Sequence, residues 1–498
     1  MKILRRLRGA ALALLLAGCH PALLTTQRPS EEFSLYLDRG QTDARWDGSV
    51  GKGFGLFAAG GLPAASRQFE KAVSAGCDDG LVLFHLAACS YVAGGNARAG
   101  ELLRAAIPAL DARYAGTTYP ARARNLRAIA LMDEGRTAEA EGALKEALRK
   151  APPLAETHSN LGKLYAAQNR QGEAFLEFEQ ALQLDPNDAT ARLNLGFLYA
   201  SEGRHDEALA EFDRILRLYA DDHRAHYAKG RTFIQMGFTD EAIGEFQEAV
   251  RLRGDFFDGH LALGQACAAA QRWADAETAL LRAIRLQPRN PKGQYALGRM
   301  YAQKGDGARA IKALRKAVRT DPLFFEGHLA LGVAYAEGND HEAALLEFTK
   351  AVELDKKSAV AYRHRGRALF QLNRFGDALK DLGRSLDLEN DNPVTLLFIG
   401  RSHWKLKDYE RAREALKRAT AADPGNAHAH LALAEIAEEQ GDHEEAIAEY
   451  ARVTELVPDA ADIQYKLGKL YDKAGRKDEA FKALQKAGPY LERIGTTR

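Results

Sequence analysis

The sequence predicts an all-α solenoid of stacked helix–turn–helix hairpins, on three observations. A 34-residue pattern runs in one register from Ala121 through eleven units. Small residues hold fixed places in it. Glycine fills unit position 8 at Gly162, Gly196, Gly230, Gly264, Gly298, Gly332, Gly366, Gly400 and Gly468, and alanine fills position 20 throughout, from Ala140 to Ala480. Each half of a unit also carries an apolar stripe at helical spacing, with a polar break between the halves. A period of this length marks a repeat architecture in which each unit buries its apolar face against its neighbours.

The unit at 155–188 shows the logic. Leu161, Gly162 and Tyr165 form the stripe of its first half, and Ala174, Phe178 and Ala181 that of its second, with the break at 168–172. Two helices that cross closely need small residues where they face each other. Gly or Asn at position 15 (Gly203, Gly237, Gly305, Gly441, Gly475, Asn169, Asn339, Asn373) predicts a left-handed end to the first helix. Proline at position 32 (Pro152, Pro186, Pro288, Pro322, Pro424, Pro458) is expected to stop the second helix.

This pattern resembles the tetratricopeptide repeat. The resemblance implies a right-handed superhelix whose first helices line an inner groove through positions 2, 5, 6, 9, 12 and 13. Two degenerate units precede the regular ones. They span 46–79, with Gly53, Ala65, Phe69 and Ala72 at positions 8, 20, 24 and 27, and 80–113, with Ala87, Ala99, Leu103 and Ala106 there. The expected organisation is therefore a leader at 1–18, a linker at 19–45, two degenerate repeats with a short insertion over 46–120, eleven repeats over 121–488 and a thin cap at 489–498.

The leader has its own signature. Lys2, Arg5, Arg6 and Arg8 precede a short apolar run that ends in Leu16, Ala17, Gly18 and Cys19. This resembles a bacterial lipoprotein signal, which implies acylation of Cys19 and an anchored mature chain. His20 follows where a retained lipoprotein would carry Asp, which implies the outer membrane, facing the periplasm. The chain holds 69 basic and 68 acidic residues, and loss of the leader leaves 65 against 68. A near-neutral mature protein speaks against nucleic acid as a partner.

No GxSxG, HExxH, phosphate-binding glycine loop or CxxC occurs, so the expectation is a scaffold with no catalytic residue, cofactor or metal. His158, His226, His260, His328 and His430 all fall at position 4, on different hairpins, and read as packing residues. Cys77, Cys89 and Cys267 read as buried free thiols, with a Cys77 to Cys89 bridge as the alternative.

The variable inner positions carry the candidate site. Positions 5 and 9 lie one helical turn apart, which pairs Tyr227 with Arg231, Tyr295 with Arg299, Arg363 with Arg367 and Tyr465 with Lys469. Arg401 and Trp404 extend the series. Aromatic residues and arginine are common interface anchors, so the expected partners are proteins or extended peptide segments of acidic character. The short cap suggests self-association through the C-terminal end. The function expected is a scaffold that recruits components of an envelope assembly: pilus or secretin, gliding motility, or exopolysaccharide export. An adaptor of cell-wall synthesis or proteolysis is the second reading. An enzyme is the third, and it would need a constellation that the sequence lacks.

Overall fold

The computed structural model describes residues 45–150 and 152–488, together with Tyr36, Asp43 and Tyr490. Cys19, the leader, nearly all of the linker and, apart from Tyr490, the cap at 489–498 lie outside the described residues. Two compact units divide the chain, 1–254 and 255–498. Both are all-α solenoids of paired, stacked helices, and no strand occurs among the described residues.

The first unit holds α1 (Asp47–Ala58), α2 (Leu62–Ser74), α3 (Gly80–Val92), α4 (Asn96–Arg113), α5 (Tyr119–Asp133), α6 (Thr137–Lys150), α7 (Ala155–Ala167), α8 (Gln171–Leu184), α9 (Ala189–Ser201), α10 (His205–Leu218), α11 (His223–Met236) and α12 (Thr239–Leu252). In the second unit are α13 (Phe257–Ala269), α14 (Trp273–Leu286), α15 (Pro291–Gln303), α16 (Gly307–Thr320), α17 (Phe325–Glu337), α18 (His341–Leu354), α19 (Ala359–Gln371), α20 (Phe375–Leu388), α21 (Pro393–Lys405), α22 (Tyr409–Ala422), α23 (Ala427–Gln440), α24 (His443–Leu456), α25 (Ala461–Lys473) and α26 (Lys477–Lys486). Odd and even helices pair as hairpins, and within each unit every hairpin packs on the next.

Close crossing explains the position-8 glycine. A Cβ on Gly332 would stand 2.5 Å from the Phe348 ring, and one on Gly264 would stand 2.5 Å from Leu280 Cγ. The large side chain at position 24 thus occupies the space that a methyl would need. The same contact forms in the first hairpin, where a Cβ on Gly53 would lie 2.6 Å from Phe69.

Caps close the helix ends. Asp188 and Asp222 accept bonds from backbone amides at the starts of α9 and α11, and Asn392 does so for α21. All eight Gly and Asn residues expected to be left-handed at position 15 have positive φ, and so do Gln271 (58°) and Lys407 (62°). Proline turns out to be dispensable at position 32. Helices α10, α12, α18 and α20 end at the same unit position as the proline-followed α6, α8, α14, α16, α22 and α24, although Ala220, Gly254, Lys356 and Asn390 stand at position 32. The residue after each of these helices is extended or nearly so, and the chain then enters the next hairpin.

Helix α4 leads into the 114–120 insertion. Here Arg124, 1% exposed, pairs with Asp111 at 2.6 Å and Glu146 at 3.3 Å, tying α4 and α6 to α5. Cys77, Cys89 and Cys267 are buried and free. Burial pushes the thiols of Cys77 and Cys89 up to about 11 and about 12, so neither is a nucleophile at neutral pH.

Candidate functional site

Each residue at position 9 follows its position-5 partner by one turn of a first helix. That spacing puts a cation above a ring in three of the four expected pairs. The guanidinium of Arg231 lies 5.9 Å from the Tyr227 ring and 5.6 Å from Phe197 of the preceding repeat. In the second unit Arg299 sits 5.8 Å from Tyr295, and Lys469 5.3 Å from Tyr465.

Two neighbouring repeats of the second unit build a denser cluster. Arg367 lies 5.0 Å from Phe398, while Arg401 lies 5.2 Å from Phe370 and 5.9 Å from Phe398. The two phenylalanine rings meet edge to face at 5.4 Å. Cations and rings therefore alternate across α19 and α21. Burial and the neighbouring Arg363 lower the pKa of Arg367, and the same crowding, led by burial, brings His364 down to about 4.

Many of the chain's other arginines are compensated within their own hairpins. In six hairpins an arginine at position 16 pairs with an acid three residues later, as Arg136 does with Glu139, Arg272 with Asp275 and Arg374 with Asp377. Arg231, Arg299, Arg367, Arg401 and Lys469 make no ion pair among the described residues, although each stacks on a ring. Each of the four guanidiniums lies within 6 Å of a ring centroid, and its N–H groups are donors of the kind that suit a carboxylate.

Other expected site residues are engaged within the chain. Arg363 pairs with Glu389 at 2.8 Å. Glu439 accepts from Trp404 Nε1 at 2.7 Å, Tyr409 Oη at 3.1 Å and Lys407 Nζ at 2.5 Å, and these donors, Lys407 first, hold its carboxyl down at about 2. Tyr465 meets the ring of Tyr490 at 5.4 Å.

The position-4 histidines do more than pack. Nδ1 of His158, His226, His328 and His430 lies 2.6–2.7 Å from the carboxylates of Glu177, Glu245, Glu347 and Glu449, each at position 23 of its own hairpin. His328 and His430 also direct Nε2 at the carbonyl oxygens of Pro322 and Pro424. The sequence carried the signal in the position-23 glutamate. Among the described residues, no group of three or more His, Cys, Asp or Glu could hold a metal ion, and no helix is long and apolar enough to cross a membrane.

Stacked hairpins with ring-backed cations on their first helices define a repeat scaffold for protein–protein interaction. Tetratricopeptide repeat models match 125–189, 227–291, 295–359, 329–393, 399–461 and 440–490, and a second such model matches 172–231. The chain belongs to the tetratricopeptide repeat family. Among solved structures it is similar to a chain of the APC/C hetero-tetramer Cut9-Hcn1, at 16% identity and a TM-score of 0.45 over 92% of this chain and 95% of that one. It is also similar to MamA, at 26% identity and a TM-score of 0.31 over 33% of this chain and 97% of that one. No curated protein matches it.

Proposed function

We propose that the chain is a lipid-anchored scaffold of a bacterial envelope. It is acylated at Cys19, held at the outer membrane facing the periplasm, and captures acidic, extended segments of proteins on its first-helix faces. Those proteins belong to an envelope assembly of the pilus or secretin, gliding-motility or exopolysaccharide-export kind. The observation that carries the capture reading is the set of ring-stacked cations at Arg231, Arg299, Arg367, Arg401 and Lys469, which make no ion pair among the described residues. Half-buried or exposed charge left without a partner in the chain favours an oppositely charged partner and rejects a like one. The leader sequence supports the anchor, through the run from Leu16 to Cys19.

Two experiments test this. Cys19→Ala should move the protein from the membrane fraction to the soluble one, and persistence in washed membranes would overturn the anchor. Replacing Arg299, Arg367 and Arg401 by Glu should leave the helical circular dichroism intact and abolish the capture of envelope components from solubilised membranes. The wild-type capture should weaken with salt. Undiminished capture by the triple variant would overturn the assignment of the surface.

A further inference from the structure

In the first unit one stretch of the first-helix face is hollow. A pocket of about 240 Å³ opens across three successive repeats, lined by Ala166, Phe197, Leu198, Ala200 and Arg231 together with polar residues. That volume falls below the roughly 300–1,000 Å³ of small-molecule sites. It is the size of one bulky side chain, not of a cofactor.

The pocket's chemistry is sorted by position. Its apolar wall is fixed, because Leu198 and Ala200 are buried and Phe197 leans edge-on against Phe212 at 5.7 Å. Three polar linings donate to their own helices. Asn194 Nδ2 donates to Thr190 O at 2.8 Å, Thr232 Oγ1 to Ala228 O at 3.0 Å and Ser201 Oγ to Leu198 O at 2.8 Å. The one charged lining residue is Arg231, stacked on Phe197 at 5.6 Å and without an ion pair among the described residues.

We infer that this pocket is a specificity subsite for an extended peptide segment in which a leucine-sized or phenylalanine-sized side chain is flanked by Asp or Glu. The inference rests on the reading of the first-helix face as a capture surface, and it adds what that surface selects. The bulky side chain enters between Ala166, Phe197 and Ala200, and a neighbouring carboxylate meets Arg231. Phe197 and Arg231 occupy the same position in adjacent repeats. First helices stand roughly 8–10 Å apart and an extended chain advances about 3.3 Å per residue. The acid therefore lies within about three residues of the anchor.

The test uses the full chain and fluorescein-labelled Gly-Ser-Asp-Glu-Leu-Asp-Gly-Ser, with companion peptides carrying Phe or Ala in place of Leu, read by fluorescence anisotropy. Full burial of a leucine side chain predicts that the Leu or Phe peptide binds at least about tenfold more tightly than the Ala peptide. Ala166→Phe should remove that preference while leaving the Ala peptide's affinity unchanged. Gln235→Trp narrows the pocket from its opposite, exposed wall and should act in the same direction without touching the core. Arg231→Glu should weaken all three acidic peptides. Equal affinity for the Leu, Phe and Ala peptides would overturn the subsite. Loss of binding on Arg299→Glu and Arg367→Glu but not on Arg231→Glu would leave the capture surface standing and overturn this pocket. Failure of all three peptides to bind would count against both.

Discussion

Replacing Glu347 by Gln should loosen one hairpin in a pH-dependent way. His328 directs Nδ1 at the Glu347 carboxylate, 2.6 Å away, and Nε2 at the Pro322 carbonyl, 3.1 Å away. Both partners only accept, so satisfying both requires the doubly protonated ring. The hydrogen bond that His328 donates to the Glu347 carboxylate raises the His328 pKa above its ordinary value, and Lys350, the nearby like charge, is itself paired with Glu353 at 2.7 Å. A charge-assisted bond of this kind contributes about 1.5–3 kcal/mol. The side chains of His328 and Glu347 are 10% and 22% exposed, which places the expected loss toward the lower end, about 1–2 kcal/mol. The sign follows from the raised pKa. The contribution is complete below the unfolded-state value of about 6.5 and disappears as pH rises through the folded one. Repeat arrays need not unfold in two states, so the appropriate assay is hydrogen exchange of α17 and α18. After correction for intrinsic rates, exchange in the variant should be roughly 5–30-fold faster at pH 6, and the difference should shrink by pH 9. Arg192 supplies an internal control. It fills the same position, reaching Glu211 at 2.7 Å and the Pro186 carbonyl at 2.7 Å with a group that never titrates in this range. Protection of α9 and α10 should therefore lack this pH dependence. Equal protection of α17 in variant and wild type at pH 6, or a difference that widens with pH, would refute the reasoning.

The helix crossing and the left-handed turns give two further outcomes. Gly332→Ala places a methyl 2.5 Å from Phe348 in a filled crossing; it should cost about 1–3 kcal/mol, seen as faster exchange confined to that hairpin and its neighbours, whereas Gly244→Ala, which meets nothing within 4 Å, should not destabilise the protein. Gln271→Gly should stabilise, by about 0.5–1 kcal/mol, because Gln271 holds φ 58° without the freedom of glycine; a higher urea midpoint checks it.

The fold was legible because its determinants are local and repeated. Gly162 and Phe178 lie 16 residues apart, in one hairpin, and the same spacing recurs at Gly332 and Phe348. A contact inside one unit appears in the sequence as a column. The helix ends were only partly legible. Proline at position 32 looked causal, yet α18 stops without it, with Asp355 extended and Ser358 capping α19. The next hairpin's cap and packing set the boundary, and they lie beyond the unit in which the second helix is read. Gln271 and Lys407 reach the left-handed region without a favourable side chain for the same reason, since the hairpin on either side fixes the turn.

The site was legible in its rows and not in its availability. Reading down position 9 found Arg231, Arg299, Arg367, Arg401 and Lys469, and reading position 5 found the rings beside three of them, Arg231, Arg299 and Lys469. Whether a charge is left over depends on groups elsewhere. Arg363 is neutralised by Glu389, 26 residues on, and the Trp404 indole N–H is taken up by Glu439, 35 residues on. Neither partner shares a helix with the residue it occupies, so spacing within one helix could not reveal it. Phe398 illustrates the converse. It sits at position 6, one of the expected lining positions, and was not among the expected site residues, yet it is the ring against which both Arg367 and Arg401 rest. Stacking on an aromatic face orients a guanidinium without neutralising it, whereas a carboxylate does both. Arg367 and Arg401 rest on rings supplied by the neighbouring repeat and meet no acid among the described residues, whereas Arg363, one turn from Arg367, is held by Glu389.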